Sequence, residues 1–246
     1  MKKIIGIILA AGRGTRLNEG KPSDIPKVLH LLGGRPMILY CIDTLKEAGI
    51  DDIILVVGYK GYLVKETVGN DVKYAVQDEQ LGTAHAVSVT KEFVLGKADY
   101  FVILNGDNPL FSKETISKLV NLCIERDAFI SLVTVAADDP KGYGRIIKNK
   151  RGGVLKIVED KDATTQEKAI KEINAGCYCF KGDWLWDHLE DIELSSQGEY
   201  YLTDLIGIAF KQGKKVMALK IKNSKEAIGI NTPNHLDLAN KVLKEV

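Results

Sequence analysis

The sequence has little cysteine, and its few thiols lack the partners that a zinc site needs. Four cysteines occur among 246 residues, and only Cys177 and Cys179 are close together, as Cys-Tyr-Cys in an apolar run. At strand spacing both side chains point to one face. Because no Cys-x-x-Cys pair or histidine cluster accompanies them, the pattern predicts no zinc site and indicates reduced, partly buried thiols.

The chain also lacks an excess of charge and a long apolar run. Its 34 basic and 33 acidic residues give a net charge of +1, so no overall basic field exists that would collect nucleic acid. No apolar stretch reaches the roughly 18 residues of a membrane-spanning helix. Lys2, Lys3 and residues 4–11 imitate a short signal peptide, but a basic glycine loop follows instead of a cleavage pattern. We therefore expect a cytoplasmic protein that binds neither nucleic acid nor membranes.

What the chain does contain is an alternation of apolar strands and amphipathic helices. The apolar run 4–9 suits a strand that is buried on both faces. Further strands are predicted at 52–57, 72–76, 100–104, 129–135, 145–148, 154–159, 173–180 and 216–221, and helices at 36–48, 83–93, 113–126, 184–189, 202–211 and 233–244. This order predicts an α/β fold, with a Rossmann-like, mixed but mainly parallel sheet flanked by helices.

No linker, repeat or low-complexity segment interrupts this pattern, so we expect a single domain over residues 1–246. The regular alternation of strands and helices ends at Asp138. After it, a Gly152-Gly153 turn between two strand-like runs indicates a hairpin. Residues 1–137 and 138–246 are therefore interpreted as two halves of one domain. Ligands of such sheets bind at the carboxyl ends of the strands, where segments 10–16 and 105–109 fall.

The first of these segments is a glycine loop with several possible interpretations. Leu9-Ala-Ala-Gly12-x-Gly14-Thr15-Arg16 lets the backbone approach a ligand, and Arg16 adds charge. The loop lacks the Gly-Lys-Ser/Thr ending of a Walker loop. It also lacks the third glycine and the distant acid of a dinucleotide site. A tight turn without a ligand is the remaining alternative.

The second segment places a carboxylate directly after a buried strand. Asp107 in Gly106-Asp107-x-Pro109 suits Mg²⁺, which binds one or two protein oxygens together with phosphate oxygens and water. Gly-Asp-x-Pro is also good turn chemistry, so a purely structural role is the alternative. The position opposite the glycine loop favours the metal.

Taken together, the motifs resemble those of the sugar nucleotidyltransferases, most closely the uridylyltransferase half of the bacterial bifunctional N-acetylglucosamine-1-phosphate uridylyltransferases. The resemblance extends over nearly the whole chain. It rests on Leu9 to Arg16, Pro26-Lys-Val-Leu29, Gln80-Leu-Gly-Thr-Ala-His-Ala86, Gly106-Asp-x-Pro-Leu110, Asp139-Pro-x-Gly-Tyr-Gly-Arg-Ile146, Ile157-Val-Glu-x-Lys-Asp-Ala163, Glu172-Ile-Asn-x-Gly176, Gly198-Glu-Tyr-Tyr-x-Thr-Asp204 and Gly229-Ile-Asn231.

This resemblance implies a Mg²⁺-dependent enzyme that joins UTP and N-acetylglucosamine 1-phosphate. It implies catalytic roles for Arg16, Lys27 and Asp107, and a metal site at Asp107 and Asn231. Nucleotide contacts are implied for Leu9, Ala10, Ala11, Gly12, Gly14, Thr15, Gln77, Gly82, Thr83, Asn105 and Gly106, and sugar contacts for Gly144, Glu159, Asn174 and Thr203. Ordinary alternatives are a Glu159–Lys161 surface pair, a turn amide at Asn174 and a helix cap at Asn231.

The sequence departs from the family pattern at three points. Segment 18–25 before Lys27 is longer than usual, Asn105 stands where relatives often carry tyrosine, and the acetyltransferase β-helix is absent, so we expect no acetyl transfer. Rival functions are another nucleotide and sugar pair, such as dTTP or UTP with glucose 1-phosphate, and a non-catalytic nucleotide-sugar-binding module. The sequence gives no signal for the oligomeric state.

Overall fold

The computed structural model describes residues 2–14, 17 and 24–244. Its strands are β1 (Ile4–Ala10), β2 (Leu31–Leu32), β3 (Arg35–Pro36), β4 (Ile53–Val57), β5 (Lys73–Val76), β6 (Tyr100–Asn105), β7 (Ile130–Ala136), β8 (Arg145–Lys148), β9 (Val154–Val158), β10 (Glu172–Lys181) and β11 (Val216–Ile221). Its α-helices are α1 (Met37–Glu47), α2 (Gly61–Val68), α3 (Thr83–Ser88), α4 (Lys91–Val94), α5 (Lys113–Glu125), α6 (Thr165–Lys168), α7 (Gly182–His188), α8 (Asp204–Lys211) and α9 (Pro233–Leu243).

Within the described residues, one nine-stranded sheet organises the chain, with the main order β11-β7-β10-β6-β1-β4-β5. Neighbours on this path are parallel, except that β10 runs antiparallel to both β6 and β7. Strand β8 pairs with the start of β10 and with β9. The mixed, mainly parallel sheet is therefore confirmed. The carboxyl ends of β1 and β6 and the amino half of β10 meet at one edge, where a ligand site is expected.

Helices cover both faces of this sheet because apolar side chains repeat at helical spacing. In α1 the buried residues are Met37, Ile38, Cys41, Ile42 and Leu45, the face predicted from the sequence. One buried cluster joins α1 and α5 to one face of the sheet, and another joins α3, α7 and α8 to the opposite face. No helix in the described part of the chain is long and apolar enough to cross a membrane.

The predicted helix over 83–93 was wrong in one respect, because it is divided into α3 and α4. The hydroxyl of Thr90 donates to the carbonyl oxygen of Val87 at 2.7 Å, and this local bond competes with the helical pattern. The predicted helix at 202–211 begins only at Asp204, after a turn at residues 202–203 in which the backbone N–H of Leu202 donates to the Thr83 hydroxyl at 2.9 Å. Helix α2 was missed, as it begins at Gly61 after a left-handed Lys60 without a capping side chain.

The buried face of α1 predicts that truncating Leu45 lowers the free energy of unfolding much more than truncating an exposed leucine does. Leu45 is fully buried, whereas Leu95 is 56% exposed. We expect Leu45→Ala to lower the free energy of unfolding by about 2–5 kcal/mol, because the site cannot fully collapse around the lost atoms. Leu95→Ala, the matched control, should change it by less than about 0.5 kcal/mol. Urea denaturation measures both values, and equal losses in the two variants would contradict this packing.

Candidate active site

The glycine loop leaves β1 and folds against the lysine that the sequence singled out. The N–H of Gly106 donates to the carbonyl of Leu9 at 2.9 Å, which joins the ends of β1 and β6. Gly14 has a φ of +65°, and a Cβ atom there would lie 2.5 Å from Cβ of Lys27. Only glycine therefore permits this close approach. The predicted residues Thr15 and Arg16 lie outside the described residues.

A second wall of the site is built from Gln77 and the turn before α3. Gln77 is 3% exposed, and its amide Nε2 donates to the carbonyl of Gly82 at 3.1 Å. Gly82 has a φ of +106°, and a Cβ atom there would lie 2.5 Å from the carbonyl oxygen of Tyr200. The backbone of Tyr200 brackets this turn, since its N–H donates to Leu81 and its carbonyl accepts from Ala84. Glycine at position 82 therefore sets the distance between the two loops.

The centre of the site is a contact between Lys27, Asp107 and Asn231. The ammonium of Lys27 makes a short contact with Oδ2 of Asp107 and donates to Oδ1 of Asn231 at 2.9 Å. The Lys27 and Asp107 side chains are only 12% and 20% exposed. A backbone bond from the N–H of Ile230 to the Asp107 carbonyl, 2.8 Å long, joins the two loops. The structure thus brings together the two predicted metal ligands.

The oxygen atoms at this centre fit a magnesium ion. A carboxylate oxygen and an amide oxygen already converge on one cation, the Lys27 ammonium. No group of three or more His, Cys, Asp or Glu side chains that could hold a metal occurs in the described part of the chain. Mg²⁺ commonly uses one or two protein oxygens and completes its shell with water and phosphate oxygens. The donor set matches that preference.

The predicted sugar-binding carboxylate, Glu159, lies just beyond β9 and is largely buried. Its Oε1 accepts from the hydroxyl of Thr203 at 3.0 Å. Burial raises the pKa of Glu159, the nearby carboxylates of Asp204, Asp162 and Glu199 raise it further, and only the Thr203 hydroxyl opposes them. The alternative of a surface pair with Lys161 was wrong, because Glu159 is turned inward and bonds to Thr203.

Gly144 and Asn174 are joined where β8 meets β10. The N–H of Asn174 donates to the carbonyl of Gly144 at 2.8 Å. The Asn174 side chain donates to the Tyr178 hydroxyl at 2.6 Å and accepts from the N–H of Gly176 at 3.2 Å. Local bonds of this kind were the ordinary alternative for Asn174, yet the residue also lines a cavity. Burial raises the pKa of Tyr178, so the hydroxyl that accepts from the Asn174 amide is neutral.

The buried side chain of Arg145 contacts the two segments that carry Gly144 and Glu159. No role for it was predicted from the sequence. Its side chain is 2% exposed. One guanidinium nitrogen donates to Asp160 at 2.9 Å, and another makes a short contact with the carbonyl of Tyr143. Gly144 and Glu159 are the direct chain neighbours of these contacts. The buried guanidinium therefore holds two loops that carry predicted sugar-binding residues.

Two cavities adjoin this centre and share part of their walls. One, of about 250 Å³, is lined by all four predicted sugar-binding residues, Gly144, Glu159, Asn174 and Thr203. The other, of about 580 Å³, is lined by Lys27 and by the predicted nucleotide-binding residues Leu9, Ala10, Ala11, Gly12, Gly14, Gln77, Gly82, Thr83 and Asn105. Thr83, Asn105, Asp107, Glu199 and Asn231 line both. Gly106 is not among the lining residues of either cavity; its N–H donates to the carbonyl of Leu9, and its own carbonyl accepts from the Cys41 thiol.

Several lining residues were not predicted from the sequence. Lys161 and Glu199 lie in motifs that carry the family resemblance, and their polar side chains next to assigned positions were the available signal. Arg13 lines the larger cavity, where its guanidinium donates to Oε1 of Gln80 at 3.2 Å. Asn108 occupies the variable position of the Gly106–Pro109 motif, so only its place in the fold shows that it faces a cavity.

Comparison with known proteins agrees with this geometry. The family model described as "Nucleotidyl transferase" matches residues 5–229. The chain is 45% identical over 245 residues to the bifunctional protein GlmU of Limosilactobacillus reuteri, covering 99% of this chain and 53% of that protein. It is 42% identical over 245 residues to GlmU of Acetivibrio thermocellus, covering 99% and 52%. The chain thus spans about half the length of these relatives.

A solved structure shares the fold. It is a Bacillus anthracis protein provisionally named a glucose-1-phosphate thymidylyltransferase, crystallised with sucrose. It is 24% identical, its TM-score is 0.79, and the match covers 99% of this chain and 96% of that one. The family model, the long matches to GlmU proteins and the shared fold agree, and the chain belongs to the nucleotidyl transferase family.

Proposed function

We propose that the protein transfers a uridylyl group from UTP to N-acetylglucosamine 1-phosphate, giving UDP-N-acetylglucosamine and pyrophosphate. The observation that carries this proposal is the junction of two cavities at Asp107 and Asn231, beside Lys27. A reaction between two phosphate esters needs such a place, because the reacting groups must meet although they repel each other. The GlmU relatives and the motif resemblance support the choice of substrates.

The larger cavity is the proposed nucleotide site. In this proposal the backbone at 9–12 and the buried Gln77 amide hold the uracil, while Gly82 and Thr83 border the ribose. Lys27 and Arg16 bind the triphosphate. We keep the division into a nucleotide-binding half, 1–137, and a sugar-binding half, 138–246. Each half also contributes residues to the cavity assigned to the other half. Lys161, Glu199 and Asn231 belong to the sugar-binding half but line the proposed nucleotide site.

The smaller cavity is the proposed sugar 1-phosphate site. Glu159 accepts from sugar hydroxyls, and the Thr203 hydroxyl keeps one of its oxygens in place. Asn174 lies in β10 and Gly144 directly precedes β8, and the N–H of Asn174 donates to the carbonyl of Gly144. Arg145 keeps these loops at a fixed distance. A pocket that is rigid before binding loses less entropy when the sugar enters.

The proposed reaction is an in-line displacement at the α-phosphorus of UTP. An oxygen of the sugar phosphate attacks, the bond to the β-phosphate oxygen breaks, and pyrophosphate leaves. No enzyme nucleophile is needed, because the attacking oxygen is already an anion. Lys27 lies at the junction of the cavities, where its ammonium can bind phosphate oxygens and reduce the repulsion. The walls fix the two substrates relative to each other, which lowers the entropic barrier.

Asp107 and Asn231 are the residues that would hold Mg²⁺. When bound there, the ion neutralises phosphate charge. Asn231 adds an oxygen without a negative charge, so the pair leaves most of the ionic charge for the substrates. Lys27 contacts both oxygens, and in this proposal its ammonium moves to the phosphates when the metal takes its place.

A substrate screen tests the proposed function. The purified protein is given UTP, dTTP, CTP or ATP with N-acetylglucosamine 1-phosphate, glucose 1-phosphate or galactose 1-phosphate, and pyrophosphate release is measured with and without Mg²⁺. We expect the highest kcat/KM for UTP with N-acetylglucosamine 1-phosphate, and activity only with the metal. A higher kcat/KM for dTTP with glucose 1-phosphate would show that the assigned substrates are wrong. If the protein binds nucleotide sugars but turns over no substrate pair, it is a non-catalytic binding module and the proposed function is wrong.

Removal of either central charge should abolish most of the activity. We expect Lys27→Ala and Asp107→Ala each to lower kcat by at least about 10²–10³, because each removes a preorganised charge at the reacting phosphates. Matched controls are Lys118→Ala on an exposed position of α5 and Asp71→Ala, whose side chain is 75% exposed. All four variants should remain folded by circular dichroism. Near-normal turnover in Lys27→Ala or Asp107→Ala would remove that residue from the mechanism.

The buried Glu159 carboxylate lowers the stability of the protein, although the proposed function needs it for sugar binding. Because its pKa is raised in the folded state, the folded protein binds this proton more readily than the unfolded chain does, and stability falls as pH rises from about 4.5 through the folded pKa. Glu159→Gln removes this loss. We expect the variant to gain stability over the native protein as pH rises, while its KM for the sugar phosphate increases.

Glu172→Gln is the control for this prediction, because the pKa of Glu172 is lowered in the folded protein, whereas that of Glu159 is raised. Burial alone would raise the pKa of Glu172, but hydrogen bonds from Lys148 and Thr134 and the charge of Lys220 outweigh burial and lower it. The stability that this carboxylate contributes is present above its unfolded pKa and is lost as pH falls through the folded pKa. Urea denaturation from pH 4 to 8 should therefore show Glu172→Gln losing stability relative to the native protein as pH rises. Slopes of the same sign in both variants would refute the assignment for Glu159.

A further inference from the structure

Asn108 is a buried amide that the proposed mechanism does not use. It follows Asp107 in the turn after β6, and its own N–H donates to the carbonyl of Asn105 at 3.1 Å. The residue is 4% exposed, and it lines the smaller cavity but not the larger one. Asp107 and Asn231 beside it line both cavities. Asn108 therefore faces the sugar side of the junction.

The Asn108 side chain makes no hydrogen bond to any residue in the part of the chain that the structure describes. Its nearest neighbours include two glycines. A Cβ atom at Gly176 would lie 3.4 Å from its Oδ1, and a Cβ atom at Gly229 would lie 3.5 Å from its Nδ2. The amide thus lies between two backbone segments that carry no side chains, and its donor and acceptor are left for whatever enters the cavity.

The amide opens onto the cavity, and a ligand that displaces water from it without replacing the hydrogen bonds leaves a buried donor and acceptor unpaired, which is unfavourable. A ligand hydroxyl can relieve this cost, since it both donates and accepts. Phosphate, in contrast, only accepts and would leave Oδ1 unpaired. The neutral amide therefore favours the hydroxyl-bearing part of the ligand over its phosphate. The exclusion of Asn108 from the nucleotide cavity points in the same direction.

We propose that Asn108 is a specificity-determining residue of the sugar 1-phosphate site, whose amide hydrogen-bonds a hydroxyl group of the sugar ring. This inference rests on the proposed function, because it names a further contact of the same substrate. Two neighbouring residues of the turn then have different roles, since Asp107 serves the phosphates and Asn108 contacts the sugar. The site rejects a sugar without that hydroxyl because the buried amide is left unpaired in the complex.

The test pairs Asn108→Leu with monodeoxy analogues of the sugar. Leucine has a similar size and no polar atoms. With UTP and N-acetylglucosamine 1-phosphate we expect a KM for the sugar phosphate about ten-fold higher, as for the loss of one neutral hydrogen bond, an unchanged KM for UTP and an unchanged or raised melting temperature. Asn70→Ala, at an exposed turn, is the control and should match the native protein in all three.

The 3-, 4- and 6-deoxy analogues then locate the contact. In the native protein, one analogue should lose kcat/KM because its missing hydroxyl leaves Asn108 unpaired, and in Asn108→Leu that loss should disappear while the other losses remain. Persistence of every loss in the variant would overturn the inference, as would a fall in melting temperature with equal changes in both KM values. If the native protein itself forms no nucleotide sugar, the proposed function fails first, so the two failures are distinct.

Discussion

The structure depends on one contact, in which the Lys27 ammonium lies against the oxygens of Asp107 and Asn231. These three residues come from the start, the middle and the end of the chain, and each loop is held by backbone geometry. Gly14 leaves room for Lys27, and Ile230 bonds to the carbonyl of Asp107. A carboxylate and a lysine that are largely removed from water are costly unless they are paired. Their pairing explains how the site keeps its charges buried, and the proposed function assigns the same charges to phosphates and a metal ion.

The antiparallel strand β10 explains why two cavities share this centre. It lies between β6 and β7 and brings the segment around Asn174 beside the turn that follows β6. The register of β10 against β7 shifts between Asn174 and Tyr178, and Gly176 in this irregular stretch has a φ of +75°. A Cβ atom at Gly176 would lie 2.5 Å from Nδ2 of Asn105 and 3.4 Å from Oδ1 of Asn108, so glycine leaves room for these two amides. The irregular stretch forms part of the wall of the smaller cavity, which is lined by Asn174, Gly176 and Tyr178.

Much of this arrangement could be predicted from the sequence, and the reason is physical. Polar side chains after buried parallel strands meet at one edge, so Asp107 and the glycine loop were expected to face each other. Asn231 was placed there only through the motif resemblance, because its distance along the chain gives no local signal. The break at Thr90 accompanies a local bond to Val87, but the bond from Leu202 to Thr83 and the support from Arg145 depend on partners elsewhere in the fold. A pattern within one segment cannot reveal such partners.

Polar groups around the smaller cavity show how binding and stability oppose each other. The Glu159 carboxylate is surrounded by other acids, and the Asn108 amide has no hydrogen-bonding partner in the described part of the chain. Crowding among the acids makes the fold less stable, and a buried polar amide contributes less to stability than an apolar or fully bonded side chain would. In the proposed function a sugar supplies hydroxyls that hydrogen-bond both groups, which offsets the cost of burying them. Nearby Asn174, in contrast, is already bonded within the protein. We therefore expect Asn174 to shape the pocket more than it selects the ligand.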